Sequence, residues 1–157
     1  MGGDGILSAV VQRRQASLIQ RIDHLGIAVR SIEQALGFYR DVLGLTVEHL
    51  ETVAEQRIRV AMLPIGDSRL ELMEPTDPAG AVGRFLETRG EGLQHVAIGV
   101  DDIEVALARA REHGVRLIDE KPRLGAGGAM VAFIHPKSSF GVLIELVQRG
   151  GGNVTHG

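Results

Sequence analysis

Residues 22–29 alternate: Ile22, His24, Gly26 and Ala28 fall on one side of an extended chain and Leu25, Ile27 and Val29 on the other, the two-residue period of a strand with one packed face. The alternation stops at Arg30. Ser31 and Gln34 then stand in capping-box spacing, and Ala35, Leu36, Phe38, Tyr39, Val42 and Leu43 take up helical spacing as far as Gly44, a residue suited to the left-handed position that closes a helix. The same order returns in the second half of the chain. Leu93, His95, Ala97 and Gly99 alternate with Val96, Ile98 and Val100; Asp101 or Asp102 caps a helix carrying Ile103, Val105, Ala106, Leu107 and Ala110; Gly114 ends it. Strand-like runs follow each helix: Thr46 to Val53, Arg57 to Leu63 and Arg69 to Met73 in the first half, and Val115 to Asp119, Ala129 to Ile134 and Gly141 to Val147 in the second. The pattern predicts an α+β fold of two tandem βαβββ modules, about residues 21–75 and 92–148, within one domain over 21–148. Flexible segments are expected at 1–20 and 149–157.

Composition removes whole classes of function. No apolar run approaches the roughly 18 residues of a membrane span. A net charge of -3, a pI near 6.1 and 3% aromatics give neither the basic footprint nor the stacking surface of a nucleic-acid binder. With no cysteine, disulfides, thiolate zinc sites, iron–sulfur clusters and cysteine nucleophiles are excluded, so a metal must be held by nitrogen and oxygen. The 21 glycines would suit a low-complexity chain, but those at 44, 66, 90, 92, 114, 125, 127, 128 and 141 fall at joints between elements and mark turns. The first 20 residues lack a signal-peptide apolar core, and their arginines follow the short apolar stretch. A cytoplasmic location is expected, or the mitochondrial matrix if this leader is a transit peptide.

The repeat also duplicates chemistry. His24 and His95 occupy matching strand positions beside small neighbours, on the faces turned away from the helices. The last strand of each half carries one acid among apolar residues, Glu71 in Leu70-Glu71-Leu72-Met73 and Glu145 in Leu143-Ile144-Glu145-Leu146. Such an acid is costly to bury unless it is paired or coordinated. One strand histidine is ordinarily a hydrogen-bonded structural residue, and one glutamate an exposed edge residue. Recurrence of the pair at nearly equal spacing points instead to four ligands, His24, Glu71, His95 and Glu145, converging between two facing modules. Two imidazoles and two carboxylates suit Co, Mn, Zn, Ni or Fe as a divalent ion and do not select among them.

Arg21 to Gln148 resembles the vicinal oxygen chelate superfamily of glyoxalases, bleomycin resistance proteins and dioxygenases, and within it the methylmalonyl-CoA epimerases. The segments that carry the resemblance are Ile22 to Val29, Leu70-Glu71-Leu72-Met73-Glu74-Pro75, Gly92 to Ile98, and His135-Pro136-Lys137 followed by Gly141-Val142-Leu143-Ile144-Glu145-Leu146. The resemblance implies a curved mixed sheet around a metal-binding cleft. It implies His24, Glu71, His95 and Glu145 as ligands of one divalent ion, Co2+ ahead of Mn2+, Zn2+, Ni2+ or Fe2+, with Glu71 standing where some relatives have glutamine. The implied reaction interconverts (2R)- and (2S)-methylmalonyl-CoA by α-proton abstraction through a metal-stabilised enolate, in a homodimer. Epimerisation needs acid/base groups on opposite faces of the α-carbon. Glu145 is implied as one. The second catalytic glutamate of some relatives corresponds here to Val60, which leaves Glu48, Glu51, Glu55, Glu71 or a metal-bound water; the preference falls on Glu71.

Coenzyme A brings phosphates, so cations are expected at the pocket mouth. Lys137 is the first candidate for CoA or the substrate carboxylate, ahead of Lys121 and Arg123. His113, at a helix end, suits a surface position favoured by the helix dipole, and His49, His135 and His156 receive no metal role. Three other readings use the same cleft. A glyoxalase I-like lyase or isomerase would use the same four ligands, and an extradiol dioxygenase would use His24, His95 and Glu145 alone. A metal-free binding protein of this fold would need none of them.

Overall fold

A computed structural model describes residues 18–150; residues 1–17 and 151–157, most of the two segments expected to be flexible, lie outside the described residues. The elements are β1 (Ile19–Ala28), α1 (Ile32–Tyr39), β2 (His49–Val53), β3 (Ile58–Ile65), β4 (Ser68–Pro75), α2 (Ala81–Arg89), β5 (Gly92–Val100), α3 (Ile103–Glu112), β6 (Arg123–Leu124), β7 (Met130–Ile134) and β8 (Ile144–Gln148), with short 3-10 turns at Ala54–Gln56 and Ala126–Gly128. All eight strands form one curled sheet in the order β2-β3-β4-β1-β5-β8-β7-β6. Its two halves are βαβββ modules joined back to back through the antiparallel pair β1 and β5. In each module the first strand lies parallel to the last, β1 to β4 and β5 to β8.

Local chemistry explains the helices. Ser31 caps α1 by accepting the Gln34 N–H, and Asp102 caps α3 by accepting the Val105 N–H. Helix α1 lays Ile32 and Leu36 on the outer face of the first module against Val29, Ala61, Leu63 and Leu72; α3 does the same for the second with Ile103, Ala106 and Leu107. The expectation of two helices misses α2. Its apolar positions Val82, Phe85 and Leu86 have helical spacing, but Gly80, Gly83 and Pro78 read as a loop. Gly83 is there because a Cβ would fall 2.6 Å from the Pro78 carbonyl oxygen. Helix α2 packs Val82 and Leu86 on the opposite face of the sheet from α1, over Ile58, Val60, Met62 and Met73. That double cover is why β3 is buried on both faces.

Three expected strands are corrected. Gly141 to Val147 begins only at Ile144, because the Gly141 and Val142 N–H groups bond back to Pro136 and Ser139 in a turn. Thr46 to Val53 shortens to β2, although the Glu48 N–H already bonds the Met62 carbonyl. Val115 to Asp119 is not a strand: it makes a single bridge, Leu117 to Ile134, because the Asp119 carboxylate takes the Phe133 N–H at 2.8 Å. The short edge strand β6 pairs with β7 instead.

Candidate metal centre

The two modules bring their histidines together across the β1–β5 pair. Gly26 faces His95 and His24 faces Ala97 in the cross-strand register, so each ring lies over a small residue of the other module. At Gly26 this is obligatory, since a Cβ would fall 2.1 Å from the His95 ring. The parallel strands then align Glu71 with Gly26 and Glu145 with Ala97, on the same face. The outcome is a cluster with His24 Nε2 3.1 Å from His95 Nε2, 3.2 Å from Glu145 Oε1 and 3.6 Å from Glu71 Oε2. His95 Nε2 is 3.8 Å from Glu145 Oε1 and 3.9 Å from Glu71 Oε1. All four side chains are almost wholly buried.

Each Nδ1 atom meets an oxygen acceptor from the preceding residue: Asp23 Oδ2 at 2.7 Å from His24 and Gln94 Oε1 at 2.6 Å from His95. An acceptor at Nδ1 makes that nitrogen the donor and turns Nε2 inward, where it carries the lone pair whenever the ring is neutral. His24, His95 and Glu145 form the tight group, with Glu71 slightly farther out, and this buried triad fits a divalent metal site of nitrogen and oxygen donors. A cavity of about 10 Å³, lined among others by His24, Glu71, Glu145, Gln56 and Arg149, lies at the cluster.

Electrostatics divides the two histidines. Burial disfavours charge on His24, yet Asp23, Glu145 and Glu71 outweigh it and push its pKa up to about 10. Burial lowers that of His95 to about 4; Glu145 opposes this and His24 adds to it. Burial likewise lifts Glu71 to about 7, with His24 pulling down and Glu145 pushing up. The negative charge that holds a proton on His24 would also hold a metal cation, which would replace that proton. Asp23 is itself buried, but its bonds to His24 and Arg149 keep it well below the ordinary carboxylate range. Arg149 grips it with Nε 2.9 Å from Oδ1 and the second nitrogen 2.7 Å from Oδ2.

Asp23, Gln94 and Arg149 were not singled out by the sequence reading. A signal existed for the first two, an acceptor immediately before each repeated histidine. A β-bulge between Ile22 and His24 brings Asp23 to the His24 ring where strict alternation would have parted them. Arg149 reaches the site across 126 residues of sequence. The other candidates separate. Val60 is sealed beneath α2, Glu48 pairs with Arg69 at 3.2 Å, and Glu51 pairs with His49 and accepts the Gly127 N–H. Glu55 lines a cavity of about 300 Å³ beside His95, together with Arg57 and Arg123. A second cavity of about 430 Å³ opens beside His95, lined by Arg84, Arg89, Pro136 and Val142 among others. Lys137 is exposed next to Pro136, and Lys121 is exposed; neither lines the two cavities beside His95. His113 is exposed at the C-cap of α3, as expected. No helix among the described residues is long and apolar enough to cross a membrane.

Residues 23–133 match the model of the Glyoxalase/Bleomycin resistance protein/Dioxygenase superfamily, and the chain belongs to that superfamily. It is 44% identical over 133 residues to the uncharacterized protein YqjC of Bacillus subtilis, covering 85% of this chain and 95% of that one. It is 35% identical over 129 residues to the mitochondrial methylmalonyl-CoA epimerase of Mus musculus, covering 82% and 72%. A solved methylmalonyl-CoA epimerase in complex with methylmalonyl-CoA and NH4+ superposes with a TM-score of 0.83 at 42% identity, covering 85% of this chain and 96% of that one.

Proposed function

We propose that this protein is a metal-dependent methylmalonyl-CoA epimerase, interconverting the 2R and 2S forms. The observation that carries the reading is the meeting of His24, His95, Glu71 and Glu145 in one buried cluster, in a chain similar to epimerases over most of its length. His24, His95, Glu145 and Glu71 would hold one divalent ion, Co2+ by family resemblance, through two imidazole nitrogens and two carboxyl groups. When bound, the ion supplies Lewis-acid stabilisation of the negative charge that develops on the thioester oxygen.

The protein's own acid/base groups are Glu145 and Glu71. They stand on β8 and β4, the strands flanking the central β1–β5 pair, and would have to serve opposite faces of the α-carbon. Ionised Glu145 takes the α-proton, leaving the electron pair on the substrate; protonated Glu71 returns a proton to the other face, and the two exchange states for the reverse reaction. In the metal-free protein burial pushes the Glu71 carboxyl up to about 7. Val60, the position at which some relatives carry a second catalytic glutamate, offers no acid/base group and is buried in the core with Val82 and Leu86 of α2. The cluster's two neighbouring cavities suit an extended thioester, and exposed Lys137 beside Pro136 is the candidate for a CoA phosphate at the outer rim. A homodimer in the cytoplasm completes the reading.

The test is incubation of single-isomer methylmalonyl-CoA in deuterated water with metal-stripped and Co2+-loaded protein. Loaded protein should exchange the α-hydrogen and lose chirality; Glu145→Gln should slow exchange by about 10³-fold. Retention of the α-hydrogen by loaded wild-type protein would overturn the reading.

A further inference from the structure

Arg123 faces the cleft without a complete partner. It opens β6, and its guanidinium carbon stands 5.7 Å from the centre of the Phe133 ring, whose edge meets the His95 ring with centroids 5.5 Å apart. Phe133 in turn pairs with Glu145 in register, so the three side chains form a short row from the cleft's lip to the ligand cluster. Arg123 Nε is buried and has no hydrogen-bond partner. Asp119 Oδ1 is 3.4 Å away without the alignment of a hydrogen bond, and Asp119 Oδ2 is occupied by the Phe133 N–H. A buried donor without an acceptor is costly, and with 36% of its side chain exposed Arg123 remains open to a ligand oxygen from the cavity side. The cavity of about 300 Å³ that Arg123 lines with His95, Gln94 and Phe133 also carries Arg57, which is paired with Asp77 at 3.4 Å and is a non-glycine residue at φ 55°, a strained conformation of the kind found at ligand clamps. Glu55 is the acid among its lining residues.

We propose that Arg123 is the anion-binding residue of this cavity and that it takes an anionic oxygen of the acyl-CoA substrate, with Arg57 as a second cation; the proposal rests on the acyl-CoA reading above. The Phe133 ring and the Asp119 carboxylate flank the Arg123 guanidinium, which orients its fork in part before a ligand arrives. Lys137, exposed and outside both cavities beside His95, lacks that placement. The anionic oxygen belongs to either the acyl carboxylate or a CoA phosphate, and the site discriminates against a thioester that lacks it.

Calorimetric titration of Co2+-loaded protein tests this with three probes. Methylmalonyl-N-acetylcysteamine carries the carboxylate without phosphates, coenzyme A carries phosphates without the carboxylate, and methylmalonyl-CoA carries both. Arg123→Met should raise the Kd for methylmalonyl-CoA by about tenfold or more, and Arg123→Lys should restore part of the loss. A loss confined to the cysteamine thioester assigns the carboxylate; a loss confined to coenzyme A assigns a phosphate. Arg123→Gln is measured alongside, with circular dichroism to show that each variant is folded. Unchanged Kd values for all three probes in the folded variants would overturn the proposal while leaving the epimerase reading intact if the α-hydrogen still exchanges. Absence of binding by the wild-type protein would overturn both.

Discussion

His24 and His95 occupy equivalent positions in the two modules, yet they are held by different chemistry. In the first module the acceptor at Nδ1 is a buried carboxylate, Asp23, gripped by Arg149 and approached by Arg21 at 3.7 Å and Arg69 at 3.9 Å. In the second it is the neutral amide of Gln94, and the surroundings are the Phe133 ring and two cavities. The consequence is one histidine driven towards charge and one driven away from it. Duplication of the module sets the ligand geometry. Divergence of the residues around it makes one side an electrostatic anchor and leaves the other beside two open cavities.

The largest effect that would break this contrast comes from the Nδ1 acceptors. Asp23→Ala should cost about 3 kcal/mol of stability by leaving Arg149 without its partner, and should lower Co2+ affinity about 10- to 100-fold by releasing the His24 tautomer. Gln94→Ala should cost about 1 kcal/mol. Urea unfolding and metal titration of both variants measure the difference; equal losses would mean that the two acceptors do the same work.

A comparable stability effect is expected from pH in metal-free protein. His95 has its folded pKa lowered from 6.5 to about 4, so the unfolded chain binds the proton more readily; its contribution is complete above 6.5 and lost as pH falls towards 4. The loss is up to about 3 kcal/mol. His24, raised to about 10, acts in the reverse sense: its contribution is complete below 6.5 and lost as pH rises through 10. Denaturation midpoints across pH should therefore lose their His95 acid limb in His95→Gln, while the alkaline limb remains.

The small residues under the rings sharpen the comparison further. Gly26→Ala drives a methyl into the His95 ring and should cost about 2 kcal/mol, whereas the reverse exchange in the other module, Ala97→Gly, removes a methyl from under His24 and should cost about 1 kcal/mol. The smallest effects should be equal in both modules. Gly44 and Gly114 have φ of 77° and 70° and meet nothing within 4 Å, so alanine at either should cost about 1 kcal/mol through backbone conformation alone. Thermal midpoints that differ strongly between these two variants would show that the helix ends have diverged as well.

How far these features were legible depended on their range. Alternation around His24 and His95, the caps at Ser31 and Asp102 and the closing glycines are local, and each dictates the backbone within a few residues. Helix α2 was hidden because its one glycine, Gly83, serves close packing against Pro78, a tertiary reason that looks like a loop in sequence. Val115 to Asp119 failed as a strand because a side chain, Asp119, took a hydrogen bond that the pattern assigned to the backbone.

The amino-acid sequence by itself determined a repeated βαβββ order and a pair of His and Glu positions on matching strands, because alternation and helical spacing are properties of neighbouring residues. Only the tertiary structure decided that β1 and β5 pair back to back, that a bulge brings Asp23 to His24, and that Arg149 closes the ring of charge. Those contacts join residues up to 126 positions apart, and nothing in the spacing along a chain fixes the distance between side chains that meet only when the sheet curls.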